Sequence, residues 1–266
     1  MPRKSFIHRQ RRVLLVMGWY DYRVHRGIAR YAESHGWHLC PDTTKEKVIP
    51  WGWDGDGILA WLGAGDDLAE FVLQARKPTV DFSFRRPHLP FPRVLVDHAA
   101  VAQLVADHFL SRGLSHFAFY SDAENWAFEE TGGAFVEAVE QRGRRCARLA
   151  WHRSPKFTRG RFQWRIKREW LTAELRKLSK PLGVCAATDD HAVEVLEACE
   201  NGGMAVPEEV AIVGVDNSLL ANEAMRIPIS SVDTNLEEVG FRGAALLDEL
   251  MQGRRVRTEP LRIPPA

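Results

Sequence analysis

Short apolar runs of β-type composition alternate along this chain with segments whose apolar residues recur at helical spacing. From Arg12 onward the series reads VLLVM (13–17) then a helix over 23–34, GILAW (57–61) then 66–75, TVDF (79–82), RVLV (93–96) then 98–112, and HFAFY (116–120) then 130–142. The second half keeps the rhythm with CARLAW (146–151) then 165–178, LGVCAA (182–187) then 190–200, and EVAIVGV (209–215) then 236–251. Such alternation predicts an α/β fold of mostly parallel sheet with helices on both faces. In 98–112, Val101, Leu104, Val105 and Phe109 share one face, Asp97 stands at the cap and Gly113 at the stop. In 236–251 the stripe is Leu236, Val239, Gly240, Gly243, Leu246, Leu247 and Leu250, and its glycines predict close approach of a neighbouring element. Thr234 and Glu237 have capping-box spacing at its entrance. So many strands exceed what one doubly wound sheet of ordinary size holds, so two lobes are expected, with the cleft between them as the candidate site.

Composition narrows the function classes. With 266 residues, 45% of them hydrophobic and 27% charged, the chain has room for two packed cores and the balance of a folded soluble protein. Its 36 basic and 35 acidic side chains nearly cancel, which removes the net positive field that nucleic-acid binding draws on. DNA is therefore expected only through another domain. The first apolar stretch, Val13 to Met17, is too short for a signal-peptide core or a bilayer span, so a cytoplasmic protein without a membrane partner is expected. Residues 1–11 are basic and aperiodic and read as an N-terminal arm. Cys40, Cys146, Cys185 and Cys199 lack CxxC spacing and read as reduced structural thiols, with no metal or other cofactor implied.

In open α/β sheets ligands bind beyond the carboxyl ends of the strands, so polar residues that directly follow apolar runs are the informative ones. After VLLVM come Trp19, Tyr20, Asp21 and Arg23, with helix capping by Asp21 as the alternative to a ligand role. After HFAFY a loop is expected to carry Asn125, Trp126 and Phe128, followed by Glu129, Glu130 and Thr131; its aromatics could equally form a local mini-core. After LGVCAA come Thr188, Asp189, Asp190 and His191, and after EVAIVGV come Asp216 and Asn217. Either carboxylate could instead cap the next helix. Together these groups suit a polyhydroxylated ligand: carboxylates, amides and a guanidinium bond hydroxyls directionally while aromatic faces cover C–H surface.

Enzyme readings find less support. Gly63-Ala64-Gly65 begins like a dinucleotide fingerprint, but Leu68 stands at the third glycine position and Asp66-Asp67 would repel a pyrophosphate. No GxSxG, HExxH or P-loop pattern is present. Glu129 and Glu130 point about 100° apart on a helix and read as a solvated face. The segment Arg159 to Arg168 mixes basic and aromatic residues as single-strand binders do. It also opens a helix with Leu171, Leu175 and Leu178 inward, so it reads as a charged outer face.

The order of motifs carries a resemblance. GGMAVPEEVAIVGVDN, preceded by a strand ending ATDD and followed by PISSVDTNLEEVGFRGAALL, resembles the LacI/GalR-type effector-binding domain. The segments YDYRVHRGIARY, GLSHFAFY and PLRIPPA resemble more narrowly the xylose-operon regulators of the XylR type, in which such a sensor precedes a C-terminal AraC-type DNA-binding domain. The likeness covers residues 12–266. It implies two Rossmann-like lobes of the type I periplasmic-binding-protein kind joined by three crossovers, mapped here to 12–113 plus 234–254 and to 114–233 plus 255–266. It implies ligand contacts at Asp21, Asp189 and Asp216. Thr131 stands where many relatives carry an arginine that grips the ligand, which weakens the implication of a pentose.

The expected function is a sugar-sensing or polyol-sensing domain of a bacterial transcriptional regulator, non-catalytic and homodimeric. Lobe closure would signal to a DNA-binding domain that this chain does not contain. In that reading Asp189, Asp216 and Asn217 accept or donate to hydroxyls, Asp21 and Arg23 fix the opposite edge, and Trp19, Tyr20 or Trp126 stack. The alternatives are a solute-binding protein of a sugar transporter and, behind it, an α/β enzyme acting on a sugar.

Overall fold

The structure, a computed structural model, describes residues 10–40, 48–63, 65–159, 163–218 and 226–266. Residues 1–9 of the basic arm, Ala64 of the glycine segment and 160–162 of the basic-aromatic segment lie outside the described residues. The chain divides into two compact units, one running to Val96 and resuming over Asn235–Ile263, the other comprising Asp97–Thr234 with Pro264–Ala266.

The first unit is built on a parallel four-stranded sheet, in which β2 (His38–Cys40), β1 (Arg12–Met17), β3 (Gly57–Trp61) and β4 (Thr79–Asp81) lie side by side in that order. The interior of β1 is buried throughout, as a parallel strand covered on both faces must be, which is why its sequence is a continuous apolar run. Helix α1 (Tyr22–Ser34) follows β1, and α2 (Asp66–Ala75) follows β3 and packs Phe71 and Val72 against Leu14, Val16, Ile58 and Ala60. A separate parallel pair joins β5 (Val94–Val96) to β11 (Leu261–Ile263).

The last helix of this unit, α7 (Leu236–Met251), lies against α1. A Cβ on Gly240 would collide with the carbonyl oxygen of Val24, and one on Gly27 with that of Glu237, so the two backbones meet where neither has a side chain. Arg30 Nη1 donates to Glu237 Oε1 at 2.7 Å and Arg26 Nε to Glu237 Oε2 at 2.6 Å, closing the exposed side of the contact.

The second unit holds a parallel five-stranded sheet ordered β10 (Ser230–Val232), β9 (Val210–Val215), β8 (Leu182–Ala186), β6 (His116–Ser121), β7 (Cys146–Ala150). Strand alternation sorts its two faces. Phe117 and Phe119 join α3 (His98–Ser111) and α4 (Trp126–Glu140) in one core, while Ala118 and Tyr120 join α5 (Trp164–Lys177) and α6 (Asp189–Gly202) in another. Cys185 and Cys199 are buried free thiols, and burial pushes the Cys199 thiol up to about 12.

Several boundaries differ from the sequence expectation. The helix at 98–111 belongs to the second unit, because its apolar face of Val101, Ala102, Val105, Ala106 and Phe109 packs against α4. Leu104, expected on that face, is 47% exposed, and the small Ala102 and Ala106 fill its place. Strand β11, expected with the second lobe, extends the first by pairing with β5. Helix α4 starts at Trp126 rather than at 130, since the Asn125 side chain accepts from Ala127 N at 3.0 Å and caps it. The capping box at 234–237 does not form: Asn235 enters α7 in a left-handed conformation (φ 57°), Thr234 donates to Asp216, and Glu237 is held by Arg26 and Arg30. Among the described residues, no helix is long and apolar enough to cross a membrane.

The α1–α7 contact is testable by contrast. Gly240→Ala is expected to lower unfolding free energy by about 2–3 kcal/mol, the scale of overpacking. Gly133→Ala, inside α4 with nothing within 4 Å of the added methyl, is expected to raise it by about 0.5–1 kcal/mol. Urea unfolding of both variants against the parent decides.

Candidate functional site

The sheet orders define where each unit can hold a ligand. In the first unit the chain passes from β1 to β2 on one side and then to β3 on the other. In the second it passes from β6 to β7 on one side and then to β8 on the other. At such a switch the following loops turn away in opposite directions and leave a crevice beyond the carboxyl ends of the two strands. The two crevices lie at the ends of β1 and β3 and of β6 and β8.

The first crevice is aromatic. Gly18 N donates to Trp61 O at 3.0 Å, which ties the loop after β1 to the end of β3. The Trp19 ring lies 4.6 Å from the Trp61 ring and remains 44% exposed. Tyr20, also exposed, shares a 2.9 Å hydrogen bond with His25 Nδ1. Asp21 is the N-cap of α1 and accepts from Arg23 N at 2.8 Å, while Arg23 grips the same carboxylate through Nε (3.0 Å) and Nη2 (2.8 Å). Asp21 and Arg23 therefore form an ion pair in which each neutralises the other.

Beside this crevice, Asp81 ends β4 fully buried. Its Oδ1 accepts from Leu62 N (3.1 Å) and Ser83 N (3.0 Å), but its buried Oδ2 accepts no hydrogen bond, and Arg93 Nε stands 3.9 Å away. Burial, opposed by the two backbone bonds and by Arg93, pushes the Asp81 carboxyl up to about 6.

The second crevice is charged. Asp122, the first residue beyond β6, accepts from His191 Nε2 at 2.8 Å on Oδ1 and from Lys167 Nζ at 3.1 Å on Oδ2. A carboxylate only accepts, so Nε2 of His191 carries the proton, and in the neutral ring Nδ1 takes the Thr188 hydroxyl at 2.7 Å. Lys167 also pairs with Glu194, whose other oxygen accepts from the Tyr120 hydroxyl at 2.5 Å. The His191 bond, against the cost of burial and aided by Lys167, holds the Asp122 carboxyl well below the usual carboxylate range. Burial alone would lower the Lys167 ammonium, but Glu194 and Asp122 outweigh it and raise it. Sequence reasoning placed Lys167 on a charged outer face, whereas it is 5% exposed. Its spacing of four and eight residues from Leu171 and Leu175 was the signal that it points inward.

Of the other expected residues, Asp189 is 1% exposed. It accepts from Ser231 Oγ and Ser218 N, each at 2.5 Å, in room left by the missing side chain of Gly214. The cap of α6 is Thr188 instead. Thr131 is 3% exposed and bonded to His98 Nδ1 at 3.0 Å, inside the α3–α4 packing rather than at the crevice. Trp126 meets the His98 ring at 5.3 Å. Glu129 accepts from Arg148 Nη2 (3.0 Å) and Arg153 Nη2 (3.2 Å), an ion-pair cluster rather than a free solvated acid.

Asp216 and Asn217 follow β9 with φ of 99° and 48°. Asp216 Oδ1 accepts from Thr234 Oγ1 at 3.2 Å, and Asn217 N donates to Ser231 Oγ at 2.9 Å. Consecutive non-glycine residues with positive φ cost roughly 1–3 kcal/mol each and persist where surrounding bonds dictate the turn, as they often do at ligand sites. Asp216 is half-buried and Asn217 exposed, so both present side chains at the sheet's carboxyl edge.

The profile of the Periplasmic binding protein-like domain matches residues 106–266. The chain belongs to this family. This periplasmic-binding-protein-like chain is 33% identical over 273 residues to the "Xylose operon regulatory protein" of Haemophilus influenzae, across 92% of its own length and 65% of that relative's. To the protein of the same name from Escherichia coli K12 it is 24% identical, covering 92% and 64%. The chain thus spans just under two thirds of these relatives. The solved "structure of xylose-binding transcription activator xylR" superposes with a TM-score of 0.81 at 22% identity, covering 97% of this chain and 68% of that one, which is a likeness of fold.

The buried carboxyl at β4 makes a pH prediction. Between its unfolded value of 3.8 and its folded value of about 6, the folded domain holds a proton that the unfolded chain has released, so stability falls as pH rises through that window. Asp81→Asn keeps an acceptor for Leu62 N and Ser83 N and is expected to remove that slope. Relative to the parent it should gain about 2–3 kcal/mol on going from pH 4 to pH 7. Urea titrations at several pH values across the window test this.

Proposed function

We propose that this domain is the effector-binding part of a sugar-responsive bacterial transcription regulator, and that its effector is a neutral sugar or related polyol. The observation that carries the reading is the chemistry of the two switch-point crevices, the exposed Trp19 face in one and oriented carboxylates in the other, on a chain akin to xylose-operon regulators. Indole faces cover the C–H surface of a sugar ring, while carboxylates and amides take its hydroxyls. Trp19 and Tyr20 act as the stacking groups, with Trp126 as a further aromatic, and Asp216 and Asn217 bond hydroxyls. Asp189, Thr131 and the Asp21–Arg23 pair hold the loops that present them. No covalent chemistry on the effector belongs to this reading.

An effector that binds one arrangement of the protein better than another shifts the population by its differential affinity. In the full regulator, acting in the cytoplasm as a homodimer, that shift would reach DNA through an AraC-type domain. The kinship with regulators roughly half as long again supports such a partner domain.

Titration calorimetry against neutral pentoses, hexoses and their acids is the direct test. The parent should bind at least one neutral sugar, and Asp216→Ala should weaken it at least tenfold, the loss expected for one charged hydrogen bond of about 1.5–3 kcal/mol. Trp19→Ala should weaken it about tenfold through lost stacking. Failure of every neutral sugar to bind would overturn the reading.

A further inference from the structure

We propose that Asp122 is the ligand-facing carboxylate of the second unit and the residue that selects neutral polyols over sugar acids. The inference rests on the sugar-effector reading and names a specificity residue for it. Asp122 is the first residue beyond β6 and stands at the switch point between β6 and β8, where a parallel sheet exposes the ends of its strands. Its side chain is 32% exposed, in contrast to Asp189, whose oxygens are spent on Ser218 and Ser231.

The geometry leaves Asp122 ready to accept. Each carboxylate oxygen offers two lone pairs. His191 uses one on Oδ1 and Lys167 one on Oδ2, so each oxygen retains a direction for a ligand hydroxyl. The same two donors fix the rotamer and keep the group ionised, so little ordering is left for the ligand to supply. Behind them, Tyr120 and Glu194 fix Lys167, and Thr188 fixes His191. These five are positioning residues. Asp122 and Glu194 are two carboxylates on the one ammonium of Lys167, and the group that Asp122 offers a ligand is an ionised carboxylate. A neutral diol gains two charge-assisted hydrogen bonds there, whereas a carboxylate or phosphate on the ligand meets a like charge.

The test is Asp122→Asn, which keeps the shape and an acceptor oxygen while removing the charge. Calorimetry would use the sugar that the parent binds best, its monodeoxy analogues and its uronic or aldonic acid. We expect the variant to bind that sugar at least tenfold more weakly and one monodeoxy analogue within about twofold of the parent. Its preference for neutral sugar over acid should also narrow. Binding within twofold of the parent, or an equal loss for every analogue, would assign Asp122 a purely structural role and overturn the proposal while leaving the sugar reading intact. A parent that binds no neutral sugar overturns both. If Asp122→Asn does not fold, Asp122→Glu retains the charge and moves it by one methylene; an unchanged deoxy-sugar profile in that variant would count equally against the proposal.

Discussion

Parallel pairing on both sides of one strand is the constraint on which this molecule depends. In each sheet the first strand, β1 or β6, receives its successor on one flank and the next strand on the other, and helices α1, α2, α4, α5 and α6 carry parallel connections across the sheet faces. That requirement buries the strands on both faces, makes their sequences continuously apolar, and sends all carboxyl ends to one edge. It also opens a crevice at the one place in each sheet where neighbouring loops part. The polar and aromatic groups at the two crevices are therefore a few residues near strand ends, among them Trp19 and Trp61 in one unit and Asp122, Thr188 and His191 in the other.

Burial then divides the polar residues at those edges into two kinds. Asp189 and Asp81 lie so deep that their bonds are to the protein's own amides and hydroxyls, and they act as rivets between loops. Asp122 and Asp216 are only half-buried, held from behind yet open to solvent on one side. The same side-chain chemistry serves stability at one depth and, in the proposed function, recognition at the other. Lys167 shows the cost of confusing them: an ammonium that reads as surface charge is the inner partner of two carboxylates, and its burial is tolerable only because both are present.

Much of this was legible in the sequence. The alternation of apolar runs and helical stripes specified a parallel α/β fold, Asp97 and Gly113 marked the limits of a helix, and the glycines of 236–251 announced the close contact that Gly240 makes with α1. The rule that polar residues after strands are the ligand candidates points to Trp19, Asp216 and Asn217, and it applies equally to Asp122, the residue directly after β6.

What the sequence by itself determined follows from local, periodic forces: which segments are strands or helices, which faces are apolar, and which family motifs they carry. Only the tertiary structure decided the rest. Three-residue strands such as β2, β10 and β11 are too short to show a period and exist because a neighbour pairs with them. The membership of α3 in the second unit depended on which core its small alanines fit. The roles of Asp189, Thr131 and Lys167 depended on depth, and depth is set by residues far away in the chain: Ser231 for Asp189, His98 for Thr131, Glu194 and Asp122 for Lys167.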